Sequence, residues 1–354
     1  MHTQEFNLVS FISDYCSQGA SGIQPYALNN ELRQRVLDEC LRLKRLAAAG
    51  QAQAREELHR VLAAIYDYRF SVPAMETVEV DVSCVFADIT TLLEPTILQK
   101  EIDSIPADIF DVMPTGGAAF VSWFKQLIAQ HPAGAHPFFQ NYLRDHASVE
   151  GFRTFLAQET TLDPRFDDIL ALMQVGTVGA EKMEIAKNYF DEMGNGDERE
   201  VHTLLFSKAL KALDVDAAFI ERALLPEARV CGNLSACLAL SPRHHYKAIG
   251  YFGVTEYLAP RRFKKLVAGW RRLGLPEFGL AYHDLHIRID AIHGKGWFDN
   301  VIEPAVEHDP RVIKEIVYGA LIRLNSSKTF LDALLAHLQR QDRLVEPQNV
   351  RSIA

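Results

Sequence analysis

Cysteine is scarce in this chain, and what there is does not pair. The five cysteines, Cys16, Cys40, Cys84, Cys231 and Cys237, are odd in number and scattered with no CxxC spacing. That argues against a disulfide framework and suits a reduced compartment. Long apolar runs are also missing. The longest, from Val112 to Phe124, is broken by Pro114, Gly116 and Gly117, short of the ~18 uninterrupted residues a membrane span needs. The first twenty residues carry Glu5 and Asp14 and no basic segment leading into an apolar one, so a cytoplasmic protein that does not enter membranes is expected. Positive charge is in deficit: the formal net charge is −9, which argues against general nucleic-acid binding. The one basic cluster, Arg261, Arg262, Lys264, Lys265, Arg271 and Arg272, reads as a solvated helix face. Gly-rich phosphate loops are absent, since Thr115-Gly-Gly117 and Gly194-Asn-Gly196 lack the spacing of either a dinucleotide fingerprint or a P-loop. No nucleophilic triad can be assembled.

What is present is helical periodicity. Asn30 is placed to cap a helix with Leu32, Val36, Cys40 and Leu43 on one face, which Gly50 ends, and a second helix runs from Gln51 to Tyr68. Residues 75–86 alternate, with Val78, Val80, Val82, Cys84 and Phe86 on one side, and predict the one strand of the chain. Residues 94–114 read as a connector. Helices follow over 118–130, 138–145, 149–159, 165–173 and 180–193, and the Pro132–Pro137 break predicts a boundary near residue 130. Asp197 and Glu200 have capping-box spacing for a helix carrying His202 on its apolar stripe. A further helix ends at Pro260 and directs Glu256 inward. A basic helix to Leu273 comes next, then a Gly-Leu-Pro turn.

The most specific pattern comes after that turn. His286, Asp290 and His293 recur at i, i+4 and i+7, a stripe about 60° wide on a helix, shared with Tyr282, Ile289 and Trp297. Two imidazoles and a carboxylate aimed at an apolar interior are costly unless something pairs with them, and a transition metal is the economical partner. Inward-facing carboxylates and imidazoles from several helices are how bundles build dinuclear sites. The candidates are Glu192, His202, Glu256, His286, Asp290 and His293. Ten residues of straight helix would turn His202 about 80° from Glu192. Gly194 and Gly196 between them allow the break that would bring the two together.

In order and spacing, Glu192…His202, then Gly253-Val-Thr-Glu256, then His286-x-x-x-Asp290-x-x-His293, the chain resembles the haem-oxygenase-like diiron oxidases, the iron-containing redox enzymes. The resemblance covers roughly residues 135–340. It implies an all-α haem-oxygenase-like bundle over 131–345, with residues 1–130 a helical arm similar to the dimerising arm of some members, and hence a homodimer. Two Fe(II) ions, O2 as co-substrate, an external electron donor and a small-molecule substrate are implied with it. Haem is not the working cofactor on this reading, because side-chain ligands fill the interior face.

The segment Phe155-Leu-Ala-Gln158-Glu159, followed by Asp163-Pro-Arg-Phe166-Asp-Asp, is similar to the N-oxygenating members, which carry one more iron-binding carboxylate. Glu159 is the first choice for it, with Asp163, Asp167 and Asp168 as competitors. The resemblance therefore implies N-oxygenation of an amine, guanidine or amino-acid-derived substrate in a biosynthetic pathway. The alternatives are oxidative C–C cleavage, decarboxylation or desaturation of an amino or fatty acid, and a metal- or ligand-binding protein without turnover.

Overall fold

The computed structural model describes residues 6–17 and 26–345, and every regular element among them is helical. The chain divides into two compact units, Met1–Pro106 with Gly232–Leu240, and Ala107–Cys231 with Ser241–Ala354.

The first unit contains α1 (Leu8–Ser17), α2 (Asn30–Ala48), α3 (Ala52–Arg69) and α4 (Ser83–Asp103). Asn29, one residue earlier than expected, caps α2 by accepting from the Leu32 N–H. The predicted strand does not form. Residues 75–79 make turns, and helix begins at Ser83 and runs on through the supposed connector to Asp103, across Pro95. The physical reason lies in a second pattern that the alternation hid. Val85, Ile89, Leu93 and Ile97 recur every four residues and are buried, whereas Val78 is 48% exposed. Burying that helical stripe outweighs a lone strand, whose backbone would have no neighbour to bond.

The second unit contains α5 (Gly117–Gln130), a π-helical stretch (Phe138–His146), α6 (Val149–Glu159), α7 (Phe166–Met173), α8 (Gly179–Glu192), α9 (His202–Ala212) and α10 (Ala217–Ala223). It continues with α12 (His245–Arg272), α13 (Ala281–Gly296), a second π stretch (Trp297–Ile302), α14 (Glu303–His308) and α15 (Ile313–Val345). Between α10 and α12, α11 (Pro226–Leu240) supplies residues to both units. An aromatic core of Phe138, Phe152, Phe155, Phe206 and Trp270 fills the bundle.

Two departures from expectation matter for the site. First, α12 is continuous through Pro260. Proline has no N–H to give the carbonyl four residues back, and that carbonyl belongs to Glu256. Second, Asp197 caps only a 3-10 turn, accepting from the Arg199 N–H, and α9 starts at His202. The long helices α12 and α15 lie in backbone contact: a Cβ on Gly319 would stand 1.8 Å from the Lys247 carbonyl oxygen, and one on Gly250 would stand 2.0 Å from that of Ile316.

Candidate metal centre

Glu192 is the last residue of α8 and His202 the first of α9, and the link between them reverses the chain. Gly194 (φ +62°), Asn195 (φ +53°) and Gly196 (φ +89°) are all left-handed, a conformation open to glycine and, at small cost, to asparagine. A Cβ at Gly194 would lie 2.6 Å from the Glu200 carbonyl carbon, so the reversal is tight as well as left-handed. It brings His202 Nδ1 to 2.7 Å from Glu192 Oε2.

His286 of α13 completes this group, with Nε2 3.7 Å from Glu192 Oε1 and its ring 4.5 Å from that of His202. His286 Nδ1 lies 2.7 Å from the Tyr282 carbonyl oxygen. Hydrogen bonding there places the proton on Nδ1 and leaves the Nε2 lone pair facing Glu192. Burial works against the Glu192 charge, but His202 and His286 outweigh it and hold its carboxyl down at about 2.

Glu256 of α12 and Asp290 and His293 of α13 form a second group. His293 Nδ1 lies 3.8 Å from Glu256 Oε2 and 3.9 Å from Asp290 Oδ1. In each trio one donor atom per residue falls within 4.8 Å of the other two, and all six residues are buried. Burial pushes the Glu256 carboxyl well above its ordinary value, and the charges of Glu192 and Glu184 add to the shift. Asp290 is also raised by burial, with Glu256 and Glu192 pushing the same way against His286. Glu192 acts on both acids of the second trio, so the groups are neighbours. The α13 stripe serves both, with His286 in one and Asp290 and His293 in the other.

Side chains around the trios hold them in place. Asp191 Oδ2 is 2.7 Å from His293 Nε2. Asn300 Nδ2 donates to Glu184 Oε2 at 2.7 Å, and Asn188 Nδ2 donates to the Glu184 backbone carbonyl at 2.8 Å. Sequence reasoning missed Asp191, although its place beside Glu192 was a usable signal.

The structure brings the six expected ligands into these two trios. Glu159 is in neither: its neighbours are Arg262, Arg323 and Asp163. Asp163 is the competitor that borders the first trio. Its carboxyl is raised well above normal by burial, then by Glu159 and Glu192, with the Tyr282 hydroxyl favouring its charged form. Asp167 is raised by burial and also senses Glu192. Arg262, assigned from sequence to a solvated face, is turned inward, with a buried Nε that has no partner. Of the other members of that basic run, Arg261, Lys264, Arg271 and Arg272 are exposed and Lys265 is half-buried.

Residues 153–328 match the model of a protein family described as iron-containing redox enzymes. The match spans just under half of the chain, and this segment is similar to that family. The match contains all six residues of the two trios. Every regular element of the matched segment is helical, as a haem-oxygenase-like bundle requires, and no helix among the described residues is long and apolar enough to cross a membrane. No curated protein matches the chain.

The residues present fit iron. Each trio mixes imidazole nitrogen with carboxylate oxygen, a donor set suited to Fe(II). Glu256 Oε1 and His293 Nδ1 are buried without hydrogen-bond partners, a state that buried polar atoms seldom adopt unless an ion or water satisfies them.

Proposed function

We propose that this protein is an O2-dependent nonhaem diiron oxidase acting on a small molecule. Glu192, His202 and His286 would hold one Fe(II), and Glu256, Asp290 and His293 the other. The observation that carries this reading is the pair of adjacent, fully buried trios with orphaned ligand atoms. One such group could be a structural ion site, whereas two sharing one helix stripe match a dinuclear arrangement.

When bound, the iron pair would supply electrons to O2, drawn from an external donor. The rest of the work falls to the chain's own residues. Asp191 and the Tyr282 carbonyl set the orientation and tautomer of His293 and His286. Tyr282, Phe206 and Phe263 wall the first trio with aromatic surface, and their rings pack within 6.2 Å of one another or of His286. That wall excludes bulk water from the reactive metals.

Within this class we favour N-oxygenation of an amine, guanidine or amino-acid-derived substrate. We assign the role of the additional carboxylate to Asp163, whose carboxyl senses the Glu192 charge, rather than to Glu159. The location of Glu159 outside both trios favours the second reading, oxidative cleavage, decarboxylation or desaturation of an amino or fatty acid. The test is to mix anaerobically loaded ferrous protein with O2 and candidate substrates, following O2 uptake and the visible spectrum and then the products. N-hydroxylated or nitro products support the first reading, and alkenes or chain-shortened acids the second. A ferrous protein that binds two ions and leaves O2 untouched would reduce it to a metal-binding protein.

A further inference from the structure

Behind the first trio lies a cavity of about 80 Å³, lined among others by Glu159, Asp163, Thr255, Arg262, Phe263 and Arg323. One water needs only ~10–15 Å³, so the space admits a chemical group rather than a single solvent molecule. Two guanidinium groups face it. Arg262 Nη2 donates to the Ala133 carbonyl and to Ser327 Oγ, both at 3.0 Å, while its buried Nε has no partner. Arg323 Nε donates to Thr255 Oγ1 at 2.9 Å, and its guanidinium lies over the Tyr251 ring, 5.5 Å from the centroid. Every one of these hydrogen-bond partners is neutral.

Two like charges side by side in a buried wall are unfavourable without counter-charge. Burial first and the Arg323 charge second lower Arg262 to about 9, against the pull of Glu159. Glu159 opposes this and Asp163 lines the same cavity, but among the described residues neither carboxylate comes within ion-pair distance of either guanidinium. Arginine's planar fork matches the two oxygens of a carboxylate.

The cavity also points at the metal centre. On α12, Thr255 and Arg262 are seven residues apart and share a face, as do Glu256 and Phe263, one residue on and turned by about 100°. The first pair lines the cavity, and the second faces the trios, with the Phe263 ring 5.8 Å from that of His286. Asp163 lines the cavity and senses Glu192.

We propose that Arg262 and Arg323 form the anion subsite of this protein, which takes the carboxylate of an amino acid or other carboxylic acid and directs the rest of that molecule past Phe263 toward the Glu192–His202–His286 trio. The inference deepens the diiron reading and rests on it for the second half. Arg262 and Arg323 are positioning residues here, since they hold the end of the substrate that does not react.

The test is calorimetric binding to the full-length, metal-free protein, so that it does not depend on O2 chemistry. The probes are L-arginine, L-lysine and octanoate, each beside its decarboxylated or amine counterpart (agmatine, cadaverine, octylamine), with inorganic phosphate as a further anion. At least one carboxylate should bind, and its counterpart should bind about tenfold more weakly or worse. Arg262→Gln and Arg323→Gln should each weaken the carboxylate by a similar factor, with folding checked by circular dichroism. Thr255→Val keeps both charges and frees the Arg323 fork, so it should weaken binding by a smaller factor even if a charge-removing variant does not fold. Carboxylates and amines binding alike, phosphate excluding every carboxylate, variants that bind as wild type, or no carboxylate binding tighter than about 1 mM, the upper end of ordinary KM values, would each overturn the subsite. Carboxylate binding by a protein that takes up no iron would instead retain the subsite and reject the diiron reading.

Discussion

Asp191 holds His293 by the nitrogen that faces away from Glu256. Nε2 lies 2.7 Å from Asp191 Oδ2, and Nδ1 lies 3.8 Å from Glu256 Oε2. A carboxylate behind an imidazole fixes its tautomer and raises its basicity. Asp191→Asn should therefore weaken the second ion by about 10–100-fold and leave the first within a few-fold. Ferrous titration under nitrogen, or metal analysis after gel filtration, reads this directly. Equal retention of both ions would show that Asp191 has no part in holding metal.

The trios separate the effects of the two α13 histidines. His286→Ala should lose the ion held with Glu192 and His202 and keep the other, His293→Ala should do the reverse, and the double variant should lose both. Two ions retained per chain in the double variant would refute the ligand assignment.

The buried acids make metal-free stability depend on pH. Burial raises the carboxyls of Glu256 and Asp290 well above normal and that of Glu159 to about 7. Above the unfolded carboxylate range near 4, the folded state then holds more protons than the unfolded one, and stability falls as pH rises. For Glu159 the loss runs from about pH 4 to about 7, and for the other two it extends higher. Glu192, held down at about 2, works in the opposite sense and loses its contribution only as pH falls through the acid range. Urea unfolding of metal-free protein should show lower stability at pH 8 than at pH 5.5. Fe(II) or Zn(II) should reverse that order, because metal replaces the protons. A metal-free protein more stable at pH 8 would contradict the placement of these acids.

Gly194→Ala should destabilise the fold and also disturb the first trio, because the residue is left-handed and its Cβ would stand 2.6 Å from the Glu200 carbonyl carbon. Gly319→Ala drives a Cβ against the Lys247 carbonyl at the contact of α12 and α15. It should cost about 1–3 kcal/mol or more with smaller effect on the first ion. Denaturant midpoints and ferrous titration on the two variants separate these outcomes, and similar metal affinities in both would detach the Gly194 reversal from the site.

Glu159→Ala should leave both ions in place, since the carboxylate lies beside Arg262 and Arg323 and outside both trios. Loss of either ion would restore Glu159 as a ligand. Asp163→Ala, next to Glu192 and Tyr282, should alter the course of the reaction with O2 in stopped-flow mixing while iron occupancy remains near that of wild type.

By itself the sequence determined the helical class of residues 131–345 and the donor stripe of α13. Both follow from a period of 3.6 residues, which the chain carries locally wherever it is. The chain reversal between Glu192 and His202 was legible for the same reason, because Gly194 and Gly196 permit a backbone conformation that few other residues adopt. Where two local patterns overlapped, as in residues 75–86, the alternation was visible but burial chose the four-residue stripe of Val85, Ile89 and Leu93. Only the tertiary structure decided how the six donors divide into trios, that Asp191 supports His293, and that Asp163 rather than Glu159 borders Glu192. It alone turned Arg262 out of an apparently solvated run and set it beside Arg323, 61 positions along the chain. Spacing along one helix fixes direction about its own axis, whereas which residues meet across helices depends on close packing such as the Gly250 and Gly319 contacts, and no local period encodes that.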